Sequence, residues 1–147
     1  MRSLDDFAKL AGRDHGLAVV STSRPDGTVR SSVVNAGVVE HPLRGEPVVA
    51  FVSQGRARRL ESLRARRQAT VALRAGWEWS AVEGSVELVG PDDPLEGIDA
   101  ERLRVLLREI FVAAGGSHDD WDEYDRVMAS ERRVAVIVDP ARIYGNG

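Results

Sequence analysis

The sequence predicts an α+β fold, in which six strands form an antiparallel β-barrel with a few helices at its periphery. Two observations favour this fold over a parallel βαβ sheet. Six segments rich in β-branched residues follow one another mostly as hairpins and meanders, and helical periodicity is confined to short stretches beside them. The length of 147 residues suits a single domain, residues 1–147.

The first part of the chain predicts one helix and then three strands. Ser3 is a suitable N-cap for a helix over residues 3–14, whose apolar residues form one stripe. The turn residues Pro25-Asp26-Gly27 divide residues 17–39 into a hairpin. The apolar run PVVAFVS, residues 47–53, predicts the third strand.

The rest of the chain alternates between the two periodicities. An amphipathic pattern with leucine at positions 103, 106 and 107 and Gly115-Gly116 after it predicts the clearest helix. The predicted elements are, in order, a helix over 56–66, strands over 68–75 and 77–90, helices over 100–114 and 119–130, and a last strand over 133–140 that ends at Pro140.

Composition excludes several kinds of site. The chain has no cysteine, which excludes disulfides, zinc-thiolate sites, iron–sulfur clusters and thiol catalysis. The three histidines look isolated, without a second ligand at metal-binding spacing, so no metal is expected. There is no P-loop, GxGxxG motif or nucleophile elbow.

Charge and hydropathy limit the possible partners and location. The net charge of −3 argues against a general nucleic-acid-binding protein. No apolar run reaches the roughly 18 residues that a membrane span needs, and the acidic N-terminus is unlike a signal peptide. We therefore expect a soluble, cytoplasmic protein with no membrane partner.

The strongest candidate site lies where a strand meets a basic helix, in the segment Val52–Leu63. Gly55 permits a tight turn there, and a helix N-terminus beneath arginines favours a phosphate. The alternative is a solvated basic face in which Glu61 is an internal partner. Six arginines occupy the twelve positions 56–67, and the last three of them, Arg64, Arg66 and Arg67, are interpreted as surface residues.

Two further segments could contribute to a ligand site. The strand SSVVN places Asn35 with Val33 on one face and Ser32 with Val34 on the other, which suits either a planar heteroaromatic ligand or a wetted edge strand. Trp77 and Trp79 are predicted to share a strand face with two glutamates. They favour a stacking wall or a subunit interface, although core packing is the simplest account of one of them.

These segments resemble a known family. The order GLAVVSTSRPDGTVRSSVVN, FVSQGRARRLESLR, ATVALRAGWEWSAVEGSVELVGPDD and RRVAVIVDPARIYGN is similar to the flavin/deazaflavin oxidoreductase superfamily, the pyridoxamine-phosphate-oxidase-like split barrels. Within it the chain looks most like the probable F420-dependent branch. The resemblance covers essentially the whole chain. It implies a six-stranded split barrel of the FMN-binding type, a homodimer, and a cofactor in a groove between subunits.

The resemblance also implies roles for individual residues. The phosphate-gripping positions correspond to Arg56, Arg58 and Arg59, the last standing where the family often has lysine. The deazaflavin ring and ribityl chain would be lined by Ser32, Val34, Asn35 and Ser53, beside the Val52 and Gly55 of the strand-to-helix turn. Trp77 and Trp79 would face the groove from the partner subunit. The C-terminal RIYGNG lacks the Arg-and-His substrate motif of pyridoxamine-phosphate oxidases, so that specific activity is not expected.

The implied function is that of an F420-dependent reductase, which transfers a hydride to a small unsaturated organic substrate. The arginine cluster exceeds what the single phosphate of FMN needs, and this favours F420, which carries a phosphodiester and a polyglutamate tail. Two alternatives stay open: an FMN-dependent oxidase or flavin reductase, and a non-catalytic protein that binds a flavin, haem or another tetrapyrrole.

Overall fold

A computed structural model describes residues 3–146, which form a closed β-barrel with helices around it. In chain order the elements are α1 (Leu4–Ala11), β1 (Leu17–Ser23), β2 (Val29–Glu40), β3 (Pro47–Ser53), α2 (Arg58–Ala65), β4 (Gln68–Ala75), β5 (Glu78–Val89), α3 (Ala100–Ala113), α4 (Trp121–Ser130) and β6 (Val134–Gly145). None of these helices is long and apolar enough to cross a membrane.

The strand order around the barrel is β1-β2-β3-β6-β5-β4, and every described pair is antiparallel. Two three-stranded meanders, β1-β2-β3 and β4-β5-β6, are therefore joined edge to edge. The α+β barrel that the sequence predicts is confirmed. In this order β2 and β5 lie on opposite sides of the barrel, which matters for the site described below.

Two apolar clusters hold the fold together. The first fills the barrel with alternate residues of the strands, such as Val20, Phe51 and Val82, and includes buried leucines of α2. The second lies outside the barrel, where Leu106 of α3 and Tyr124 of α4 pack against outward-facing residues of β3 and β6. Helix α2 is thus tied to the barrel interior, whereas α3 and α4 cover one outer wall.

The last strand differs most from its predicted bounds. It was expected to end at Pro140, but β6 continues to Gly145. The reason is a bulge in β6 itself: Glu83 of β5 pairs with Arg142 and Gly84 pairs with Pro140, so Ala141 is an extra residue beside this proline, where the missing N–H is not needed. A Cβ on Gly84 would lie 1.7 Å from the carbonyl oxygen of Asp139, so only glycine allows this approach.

Smaller differences occur at the other termini. Helix α1 ends at Ala11 rather than at residue 14, because His15 and Gly16 have positive φ angles of 55° and 69°. Helix α2 spans Arg58–Ala65 instead of 56–66. Strand β5 begins at Glu78, so Trp77 lies in the preceding turn and not on the strand.

Candidate functional site

The guanidinium of Arg59 joins three elements at the start of α2. Its Nε donates a hydrogen bond to Oγ of Ser32 on β2, and its Nη1 donates one to Oγ of Ser53 at the end of β3; both are 3.0 Å long. Ser53 is fully buried. Ser32 faces the barrel interior, since it pairs with the buried Val20. The structure therefore brings together three of the candidate residues.

The charge of Arg59 is not neutralised by a carboxylate. Among residues 3–146 it forms hydrogen bonds only with the two hydroxyls, and burial together with the nearby charge of Arg133 lowers its pKa. Arg104 and Arg108, by contrast, both share the carboxylate of Asp125. Arg133 is itself paired with Glu131 at 2.7 Å, whereas Arg59 has no carboxylate partner among the described residues. A half-buried cation without a counter-charge is destabilised, so this arrangement suits an anionic ligand.

Two residues that the sequence analysis did not single out lie on the same strands. Thr22 on β1 pairs directly with Arg30 on β2, two residues before Ser32 and therefore on the same inward face. Within the described part of the chain, Oγ1 of Thr22 and Nε of Arg30 are buried without a hydrogen-bond partner. Buried polar atoms are nearly always bonded, so these two are available to a ligand. The two-residue spacing of Arg30 and Ser32 was the signal that could have revealed them.

The turn before α2 has the form that the sequence predicts. A Cβ on Gly55 would lie 2.5 Å from the carbonyl oxygen of Arg132, so glycine is needed for this close approach. The N-cap of α2 is Ala57, which makes no side-chain hydrogen bond to the helix. Arg56 and Arg58 are exposed and make no ion pair with the described carboxylates.

The more distal arginines are surface residues, as interpreted from the sequence. Arg64 pairs with Asp93, and Arg66 and Arg67 are exposed.

Other candidate residues lie on the outer face of the sheet, away from Arg59. Asn35 points outward, and its Nδ2 donates to the carbonyl oxygen of His15 at 2.8 Å. Val33 on the same face is 64% exposed. Beside them is a groove of 640 Å³ whose lining includes Arg13, Leu17, Val19, Val33, Arg74 and Trp79. Val34 is buried inside the barrel, and Val52 packs towards the cluster beneath α3 and α4.

The two tryptophans are both at the surface. Trp77 is 94% exposed, and Trp79 is 40% exposed, with its ring edge-on to Tyr144 at 6.0 Å between centroids. The interpretation that one of them packs in the core is wrong, because neither side chain enters either cluster. Since β5 lies opposite β2, Trp79 is not beside the Arg59 site of the same chain.

One histidine is not isolated, contrary to the sequence analysis. His41 is buried; its Nε2 lies 2.8 Å from Oε1 of Glu87, and its Nδ1 accepts the N–H groups of Leu43 and Arg44. These contacts fix the turn between β2 and β3. Among residues 3–146 no group of three or more His, Asp or Glu side chains is arranged to hold a metal ion.

No protein-family model matches the chain. Solved structures with similar folds include an F420 reductase, with 17% identity, 87% of this chain and 88% of that chain covered, and a TM-score of 0.58. A pyridoxamine 5'-phosphate oxidase-related, FMN-binding protein from Nostoc punctiforme has 13% identity over 97% of this chain and 81% of that chain, with a TM-score of 0.63.

A haem-binding protein from Mycobacterium smegmatis also has this fold. It has 12% identity over 100% of this chain and 55% of that chain, with a TM-score of 0.66. At these identities the similarity concerns the fold. The chain therefore has the split β-barrel fold of these proteins, the fold that its sequence resemblance predicts.

Proposed function

We propose that the protein is an F420-dependent reductase, which binds the deazaflavin between two copies of the chain and reduces a small unsaturated organic substrate. This proposal rests on the burial and the hydrogen-bond partners of the Arg59 guanidinium. A half-buried guanidinium held by two hydroxyls, and not by a carboxylate of the described chain, has the chemistry of a phosphate site.

The residues around Arg59 fit the phosphodiester of such a cofactor. Arg59 and Arg30 supply guanidinium donors, and Thr22, Ser32 and Ser53 supply hydroxyls from three neighbouring strands. The described atoms leave Nε of Arg30 and Oγ1 of Thr22 without partners, which an anion at the barrel end could satisfy.

The outer face of the barrel supports the proposed homodimer. In the cross-strand register Val33, Val19, Ala72, Ala81 and Tyr144 form one row across five strands. Val33, Val19 and Tyr144 in this row are exposed, as is the neighbouring Leu17. An apolar row of this kind is typical of a protein–protein interface. A second copy on this face would cover the groove beside Trp79 and supply tryptophans from the opposite subunit.

These positions indicate what the cofactor would supply to the reaction and what the chain would supply. Reduced F420, when bound, supplies the hydride that the unsaturated substrate accepts. The chain would hold the phosphate through Arg59, whereas Val19 and Val33 present an apolar surface on the outer face of the sheet, away from Arg59. Covering that surface with a second subunit excludes water. The substrate proton then comes from solvent or from a nearby group.

The unpaired arginines favour F420 over FMN. Arg56 and Arg58 lie beside the Arg59 site, are exposed, and have no carboxylate partner among residues 3–146. They offer charge to the tail carboxylates of F420, which FMN lacks. The second candidate is an FMN-dependent enzyme, and it is favoured by the compact set of donors around Arg59, which matches one phosphate. A non-catalytic flavin or tetrapyrrole carrier is the third.

Turnover with reduced cofactor tests the proposal. Purified protein is mixed anaerobically with reduced F420 and a panel of enones and imines, and cofactor oxidation is followed optically. We expect acceptor-dependent oxidation that Arg59→Gln abolishes and that Arg66→Gln, a matched exposed arginine, leaves unchanged. Acceptor-independent oxidation, or the same rate in both variants, would contradict an F420 reductase centred on Arg59.

A further inference from the structure

The turn between β5 and α3 carries two adjacent carboxylates that form ion pairs with arginines from different elements. Asp93 binds Arg64 of α2 through both oxygens, at 2.9 and 2.7 Å. Asp92 binds Arg132, in the turn between α4 and β6, in the same bidentate way at 2.9 and 2.6 Å. The turn itself is closed by two backbone hydrogen bonds between Gly90 and Asp93, each 3.0 Å long.

Each of these two arginines is close in sequence to an arginine at or near the proposed anion site. Arg64 lies five residues after Arg59 on the same short helix, so the two side chains leave the helix about 140° apart. Arg132 directly precedes Arg133, whose charge lowers the pKa of Arg59 and whose guanidinium pairs with Glu131 at 2.7 Å. The turn that contains Asp92 and Asp93 is therefore bonded both to α2, which carries Arg59, and to the turn before β6, which carries Arg133.

The site needs an external restraint of this kind. Burial and the charge of Arg133 both lower the pKa of Arg59, and α2 is only eight residues long with no side-chain N-cap. Arg132 has a left-handed backbone φ of 50°, which residues other than glycine rarely adopt. The carboxylate of Asp93 is only 8% exposed, so its ion pair with Arg64 is well shielded from water.

We infer that Asp92 and Asp93 are positioning residues of the anion site: by clamping Arg64 and Arg132, they set where Arg59 and Arg133 stand relative to each other. The inference rests on the proposed anion-binding function of Arg59. Both carboxylates are bound by their own arginines, so they shape the site without opposing an anion within it.

The test combines a ligand-free readout with a binding readout. The variants are Asp92→Asn, Asp93→Asn and Arg64→Lys. The lysine variant keeps the positive charge at position 64 but cannot form the bidentate pair with Asp93. The control is Glu109→Gln, which breaks the surface pair with Arg102 on α3. In each variant, NMR of the arginine Nε–H groups follows the Arg59 hydrogen bond to Ser32, and titrations with FMN and inorganic phosphate give affinities.

We expect the three clamp variants to shift or broaden the Arg59 Nε–H signal in the free protein and to weaken FMN binding roughly fivefold. The control should change neither. An unchanged Arg59 signal in folded Asp93→Asn and Arg64→Lys would overturn the inference, as would equal effects in the control. If Asp93→Asn fails to fold, the exposed Arg64→Lys decides.

The two proposals fail in different ways. If the unmodified protein binds neither FMN, F420 nor phosphate, the proposed function falls, and the free-protein signal of Arg59 still decides whether the clamp positions this side chain.

Discussion

Nε of Arg59 lies 3.0 Å from Oγ of Ser32, although 27 residues separate them in the sequence. This hydrogen bond links the start of α2 to the middle of the barrel wall. Because the second partner of Arg59 is also a hydroxyl, the charge of its guanidinium is not compensated by a carboxylate of the described chain.

Replacing Arg59 should weaken the binding of a phosphate-bearing cofactor. Arg59→Ala removes charge-assisted hydrogen bonds to the phosphate, and we expect a loss of about 1.5–3 kcal/mol in binding free energy, measured by calorimetric titration. Arg67→Ala, at an exposed position of the same basic segment, should have little effect. Equal losses in both variants would contradict the site.

Removing the unpartnered hydroxyl of Thr22 should weaken phosphate binding without lowering the free energy of unfolding. Thr22→Val removes a buried oxygen that has no described hydrogen-bond partner, so the free energy of unfolding should stay the same or rise by about 1 kcal/mol. Phosphate affinity should fall, because one donor to the anion is lost. Urea denaturation and phosphate titration measure the two effects, and a destabilised variant with normal affinity would refute this role.

The pair of helices outside the barrel should lose stability in acid. The hydrogen bonds from Arg108 and Arg104 hold the pKa of Asp125 below its ordinary value. A carboxyl with a lowered folded-state pKa stabilises the protein above its unfolded pKa, and this contribution is lost as the pH falls through the folded-state pKa. Asp125→Asn should cost up to about 1 kcal/mol at neutral pH and flatten the acid limb of the stability curve. An unchanged acid limb in thermal melts would be evidence against it.

The exposed face around Val33 should be the dimer contact. Val33→Asp places a charge at the most exposed position of the apolar row and should convert the protein to monomers in sedimentation-velocity runs. Val127→Asp is a matched control, since Val127 is 40% exposed on α4 and away from this face. Dimers that persist in Val33→Asp but dissociate in the control would move the interface to the helical side.

Local patterns allowed much of the fold to be predicted. The turn Pro25-Asp26-Gly27 and the alternation of SSVVN depend on near neighbours, and they correctly placed Ser32 and Asn35 on opposite faces. The strand-to-helix turn at Gly55 is local too, which is why the segment that carries both Ser53 and Arg59 could be singled out from the sequence.

The remainder depends on contacts between distant segments. Arg30 and Thr22 became candidates only when the register of β1 and β2 showed two buried polar atoms without partners. The continuation of β6 past Pro140 depends on a bulge at Ala141, which is defined only by the pairing of β6 with the distant strand β5. The exposure of Trp79 depends on which barrel wall the helices cover, and nothing near a tryptophan in sequence determines that.

The choice between F420 and FMN tests the central claim most directly. Tryptophan fluorescence of the purified protein is titrated with each cofactor in parallel, with Trp77 and Trp79 as reporters. The proposal predicts tight, saturable quenching by F420 and clearly weaker binding of FMN. Tighter binding of FMN, or saturable binding of neither cofactor, would contradict it.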